Sequence, residues 1–159
     1  MGNETLRQLN WLVGTWATTA THPALPGVVV NGTVTIEWLE GERFLIHRVR
    51  FDHPDFPDSI SIIGFTEHDR ADAGAAADES PLHMHYFDSR GVFRIYDVSI
   101  DGAVWRIWRD APGFSQRFTG IRSDDGGTID GLWEFRRDVD WESDLKITYQ
   151  RDDSYPALE

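Results

Sequence analysis

Residues 92–135 read VFRIYDVSIDGAVWRIWRDAPGFSQRFTGIRSDDGGTIDGLWEF, four apolar and aromatic runs punctuated by Asp101-Gly102, Asp110-Ala111-Pro112-Gly113 and Asp124-Asp125-Gly126-Gly127. Val, Ile, Phe, Trp and Thr suit a pleated, half-buried surface, and Asp-Gly pairs supply the positive φ of tight hairpins. The stretch predicts antiparallel strands at 92–99, 103–109, 114–122 and 128–136. Working outward, the same alternation predicts strands at 14–21, 29–39, 43–52, 59–67 and 81–88 on one side and 144–151 on the other. Ten strands in an open sheet would expose two long edges. Closure removes them, and a barrel wider than eight strands leaves an interior that its own side chains need not fill. The chain reads as all-β, an antiparallel up-and-down barrel over 14–151 within a single domain spanning 1–159.

A short helix at 3–13 precedes the barrel, with Asn3 as its cap, Glu4 in its first turn, Leu6, Leu9 and Val13 along one side and Gly14 at its end. In a meander, successive turns alternate between the two ends. One rim collects HPALPG at 22–27, HPDFPD at 53–58, Asp88-Ser89-Arg90-Gly91, Asp110 to Gly113 and the segment 138–141. The other collects Glu40-Gly41-Glu42, the acidic alanine-rich stretch from His68 to Ser80, Asp101-Gly102 and Asp124 to Gly127. The helix falls at this second end and is placed to plug it, so access is expected at the first. There His22-Pro23-Ala24-Leu25-Pro26 and His53-Pro54-Asp55-Phe56-Pro57 share a His-Pro-x-apolar-Pro pattern. Proline pre-sets φ and stiffens a loop. Structurally the repeat covers the core; functionally it is a preformed portal.

Fifteen Lys and Arg against 27 Asp and Glu give a formal net charge of −12. Such a surface repels a nucleic-acid duplex and an anionic membrane, so neither is expected as a partner. The chain has no cysteine, which removes disulfides and thiolate chemistry and fits a reducing compartment. No segment approaches the ~20 apolar residues of a membrane span, and residues 1–8 lack a secretory pattern. A cytoplasmic protein is expected. Seven Trp and nine Phe would line and seal the barrel, each ring burying ~150–250 Å².

Residues 82–91, LHMHYFDSRG, place His83 and His85 two apart on a strand, where both rings share a face with Phe87 while Leu82, Met84 and Tyr86 form the other. A cupin-type metal site needs a Glu four or five residues beyond, where Ser89 and Arg90 stand. No metal or other cofactor is expected, and His85 is placed near the cavity mouth. Further polar groups gather at the same rim. Arg94 and Tyr96 share one face, Trp105, Ile107 and Arg109 another, and Phe114, Gln116 and Phe118 a third. An arginine facing an apolar cavity is costly unless paired. Structurally, Asp88 or Asp110 would pair it in a lip salt bridge; functionally, it would anchor a carboxylate or phosphate. The candidate ligand-binding residues are His22, His53, His85, Arg94, Tyr96, Arg109 and Gln116.

At Leu12-Val13-Gly14-Thr15-Trp16, following the helix and opening the first strand, the chain resembles the calycin superfamily, whose lipocalins carry Gly-x-Trp there. The resemblance implies that Trp16 packs under an arginine near the end of the last strand, which is Arg151 in Tyr149-Gln150-Arg151. More specifically, the chain is similar to bacterial lipocalin-like proteins related to the DUF1579 and nitrobindin-like barrels. That similarity runs through His22 to Pro26, Asp52 to Ser59, His85 to Gly91, Arg109 to Phe118 and Gly131 to Glu134. It implies a ten-stranded barrel with a cavity and supplies no settled activity. Nitrobindins hold haem through a late histidine, whereas this chain has no histidine after His85.

These readings converge on a binding module: a small, mainly apolar ligand with one polar or acidic end, inside the barrel. An alternative is an isomerase or hydrolase using His85 with Asp88, or His53 with Asp55 and Asp58. No nucleophile elbow, phosphate loop or dinucleotide fingerprint is present, so no catalytic residue is assigned. Haem binding is a third reading.

Overall fold

In the computed structural model, the described residues are 3–65 and 82–152. The stretch from His68 to Ser80 lies outside them, as do positions 66, 67 and 81 at expected strand ends and the side chains of Asn3 and Glu4. The strands are β1 (Gly14–Thr21), β2 (Val30–Trp38), β3 (Phe44–Phe51), β4 (Ser59–Phe65), β5 (Leu82–Asp88), β6 (Phe93–Asp101), β7 (Val104–Arg109), β8 (Ser115–Arg122), β9 (Thr128–Arg136) and β10 (Trp141–Arg151). Each pairs antiparallel with its sequence neighbours, and β10 returns to β1 to close the barrel.

Two elements differ from the sequence reading. β10 begins at Trp141 rather than 144, because its register against β9 shifts between Ser143 and Lys146. An extra residue there breaks the inside-outside alternation by which a strand is recognised. The helix expected over 3–13 is two pieces, α1 (Asn3–Arg7) and a 3₁₀ turn at Asn10–Leu12. In the second piece Leu12 N–H donates to Leu9 O at 2.9 Å and Val13 N–H to Asn10 O at 3.1 Å. Leu6, Leu9 and Leu12 are spaced by three and are 4%, 0% and 0% exposed, so three residues per turn puts all of them under one face. Leu12 takes the buried place expected of Val13.

These leucines plug one end of the barrel. Leu9 and Leu12 join Trp16, Leu45, Ile63 and Val98 in the apolar core. Trp38 Nε1 donates to Asn10 Oδ1 at 3.0 Å, and Arg122 lies 4.8 Å over the Trp11 ring, fixing the plug to the wall. Among the described residues no helix is long and apolar enough to cross a membrane.

The seam between first and last strands is held by one cation. Trp16 and Arg151 are directly opposed, and the guanidinium lies 4.1 Å from the indole centroid. It donates through Nη1 to Val13 O and through Nη2 to Trp11 O, both at 2.8 Å. Trp16 Nε1 donates to Leu12 O at 2.9 Å. Gly14 makes room for this contact. Its φ is 142°, and a Cβ there would lie 2.6 Å from Arg151 Nη1. Gly14→Ala is therefore expected to displace the guanidinium and cost about 1–3 kcal/mol. Chemical denaturation of the two proteins checks this; equal midpoints would contradict it.

Candidate functional site

Away from the plug the packing opens into a cavity of about 420 Å³. Its mouth is the rim that carries both His-Pro segments, with Ala24 and Leu25 from one and Asp55, Phe56 and Pro57 from the other lining it. The repeated pattern has a local physical cause. In the first segment Leu25 N–H donates to His22 O at 2.9 Å, and Ala24 N–H donates to His22 Nδ1 at 3.0 Å. In the second, Phe56 N–H donates to His53 O at 3.2 Å, and Asp55 N–H donates to His53 Nδ1 at 3.1 Å. In both, the imidazole accepts from the amide two residues on, as an Asx side chain does in a turn, while proline fixes φ. The lip is stiff by construction. Because Nδ1 of His22 accepts, its proton sits on Nε2, which meets Asp144 Oδ1 of β10 at 2.6 Å and ties this loop across the mouth.

The cavity wall has two characters. Trp133 of β9, Leu145 and Ile147 of β10, and Phe118 of β8 form an apolar side. Gly120 and Gly131 are paired behind Phe118, and a Cβ on either would come within 2.9 and 2.5 Å of its ring, so the glycines let the ring lie against the wall. The other side, from β3 to β6, sets its polar groups among Val49, Phe51 and Met84, and β8 continues it with Gln116. Tyr96 donates its hydroxyl to Gln116 Oε1 at 3.1 Å. Tyr86 donates to Asp88 Oδ2 at 2.7 Å, and Arg90 Nη2 donates to the same oxygen at 2.6 Å. Burial alone would raise the Asp88 carboxyl, but these bonds, with the amides of Arg90 and Val92, hold it well below the ordinary carboxylate range. Burial and the anionic Asp88 raise Tyr86, leaving it a neutral donor committed to that carboxylate.

Among the described residues, Arg90 and Arg94 are the arginines that line the cavity. Arg90 is paired with Asp88. Arg94 lies 5.6 Å from the Phe114 ring, and among the described residues no carboxylate forms an ion pair with it. Its charge acts on Tyr96, which burial raises and the Arg94 hydrogen bond lowers.

His47 of β3, which is not among the candidates singled out from sequence, also lines the cavity. It is 7% exposed, its ring packs edge-on to Trp105 at 5.9 Å, and among the described residues neither ring nitrogen has a hydrogen-bond partner. Burial pushes its imidazole down to about 4, so it is neutral at pH 7. The available signal was alternation in FLIHRVRF, where Leu45, His47 and Val49 share the face opposite Arg48 and Arg50.

Of the residues singled out from sequence, His22, Arg94, Tyr96 and Gln116 converge on the cavity. The others do not. His85, expected near the mouth, is on the outer wall, its ring 6.3 Å from exposed Phe93, because Leu82 and Met84 take the inward positions of β5. His83 is outside as well, its Nε2 3.4 Å from Asp97 Oδ1. His53 is spent in its own turn and packs edge-on to Phe56 at 5.4 Å. Arg109, opposite Gln116 in register, is not a lining residue and donates Nη1 to Phe114 O at 3.0 Å. An acid–base pair of His85 with Asp88 therefore has no geometry inside the cavity. Among the described residues no group of three His, Cys, Asp or Glu side chains is arranged to hold a metal ion. Facing the cavity, β10 presents Asp144, Leu145, Ile147 and Tyr149.

No protein-family model matches this sequence, and no curated protein matches it. Among solved structures the chain is similar to that described as "Crystal Structure of Rv2717c from M. tuberculosis", at 14% identity over 93% of this chain and 97% of that one, with a TM-score of 0.61. At that identity the likeness concerns the fold alone.

Proposed function

We propose that this protein binds a small, mainly apolar molecule with an acidic end, held in the barrel with its acid at the stiff mouth. A preformed cavity of this size and lining, with a few fixed polar groups, is the usual form of a small-molecule site. The observation that carries the acidic end is Arg94, a cation on the cavity wall with no carboxylate partner among the described residues. A ligand carboxylate would supply one, with Tyr96 and Gln116 orienting it. The net charge of −12 favours a small ligand over nucleic acid or an anionic membrane as the partner. The absence of cysteine supports a cytoplasmic setting. Kinship with the lipocalin-like, DUF1579 and nitrobindin-like barrels is part of this reading, supported by the Gly14-Thr15-Trp16 opening under Arg151.

Organic extraction of the protein purified from its native host, with native mass spectrometry, is expected to show one small acid per chain. A cavity that never retains or takes up such a molecule would overturn the reading. In titration calorimetry, Arg94→Gln is expected to weaken 2-naphthoate by roughly 10- to 100-fold, the worth of one charge-assisted hydrogen bond. The neutral 2-naphthol should be nearly indifferent to the change. Equal losses for both would remove Arg94 as the acid anchor.

A further inference from the structure

The polar side of the cavity is a continuous row. Antiparallel register sets His47 of β3 opposite Ser61 of β4, Ser61 opposite Tyr86 of β5, and Tyr86 opposite Arg94 of β6. All four line the cavity. One polar group on each of four adjacent strands, with strands ~4.8 Å apart, makes a band about 14 Å long at the backbone. Strands in a barrel are tilted, so a band drawn along the register descends as it goes round. It starts at partly buried Arg94, next to the rim turn, and ends at Ser61 and His47, which are 1% and 7% exposed.

The members offer different chemistry. Arg94 is the cation. Tyr86 is committed to Asp88. Neutral His47 carries one donor and one acceptor, both without a partner among the described residues, a combination that suits a hydroxyl, itself donor and acceptor. Facing this band stands the apolar side of Trp133, Leu145 and Ile147, with Tyr96 edge-on to Trp133 at 5.7 Å. Leaving a buried polar group unpaired costs more than a made hydrogen bond returns. A plain acyl chain would satisfy Arg94 and leave the lower band facing methylenes.

We infer that the cavity selects a flat, ring-based acid with a second oxygen substituent, the carboxylate at Arg94 and a hydroxyl lower on the band at Ser61 and His47. This rests on the small-molecule reading above and narrows it. Three probes test it by titration calorimetry: 6-hydroxy-2-naphthoic acid, 2-naphthoic acid and dodecanoic acid. The hydroxy acid is expected to bind about 10-fold tighter than naphthoate, and dodecanoate weakest. Ser61→Ala and His47→Leu should each bring the hydroxynaphthoate-to-naphthoate ratio close to one, while Arg48→Ala on the outer wall keeps it near 10. Dodecanoate binding as tightly as the hydroxy acid, or a hydroxyl that adds nothing, overturns the ring-acid inference and leaves the small-molecule reading intact. Binding of none of the three also overturns it. Uptake of neutral naphthalene would then preserve small-molecule binding while removing its acidic end, and failure of that as well would end both.

Discussion

Trp16→Ala is expected to lower the stability of the barrel by about 3–5 kcal/mol, the usual cost of emptying a fully buried tryptophan site. In a thermal melt that corresponds to a fall of roughly 6–20 °C for a chain of this size. Trp16 is inaccessible to solvent and packs edge-on to Tyr149 of β10 at 6.2 Å. Its loss also strips the ring from Arg151, a cation–π contact worth roughly 0.5–2 kcal/mol. The guanidinium would remain tied to the Trp11 and Val13 carbonyls without the surface it lies on. Arg151→Lys keeps the charge and loses the two-pronged donation, so it should destabilise by less than Trp16→Ala and more than a surface change. A Trp16→Ala protein melting within 2 °C of the parent, on the order of 1 kcal/mol or less, would show that the seam is not where the barrel is held.

The second large effect concerns acid. His47 is buried and neutral, with its imidazole pushed down to about 4 by burial, whereas an unfolded chain leaves it near 6.5. Between pH 6.5 and 4 the unfolded state takes up a proton that the folded state refuses, so stability falls as pH falls through that window and levels off below it. Full passage costs about 3 kcal/mol. His47→Leu should abolish this component. At pH 7 the same substitution removes two buried nitrogens that lack partners among the described residues and is expected to stabilise the ligand-free protein by about 1–3 kcal/mol. The substitution leaves every other ionisable side chain in place, so the difference between the two proteins in urea denaturation from pH 7 to 4.5 isolates His47. Parallel stability curves over that range would place its imidazole in contact with water.

The strands were legible because the information that makes them is local. Gly102 and Gly126 adopt φ of 60° and 76° in their turns, as Asp101-Gly102 and Asp125-Gly126 announce. β1 and β9 begin and end where alternation says they do. The His-Pro segments share one mouth because a meander leaves them no other place. Where the period broke, the reading slipped: at the register shift of β10, and at the plug, where leucines three apart serve a 3₁₀ turn better than a continued helix.

The sequence by itself determined that the chain alternates, turns and closes, since side-chain volume, β-branching and glycine act within a few residues of where they stand. Tertiary structure alone decided which face is the inside. His83, His85 and Phe87 alternate with Leu82, Met84 and Tyr86, and nothing within that strand ranks one set above the other. The choice falls to neighbours such as Tyr96 and Gln116, which bond to each other across the cavity wall, and it sends His85 outward while turning His47 in. The row from His47 to Arg94 has the same origin. Its members lie far apart along the chain and meet only because antiparallel register, a relation between strands, sets them side by side.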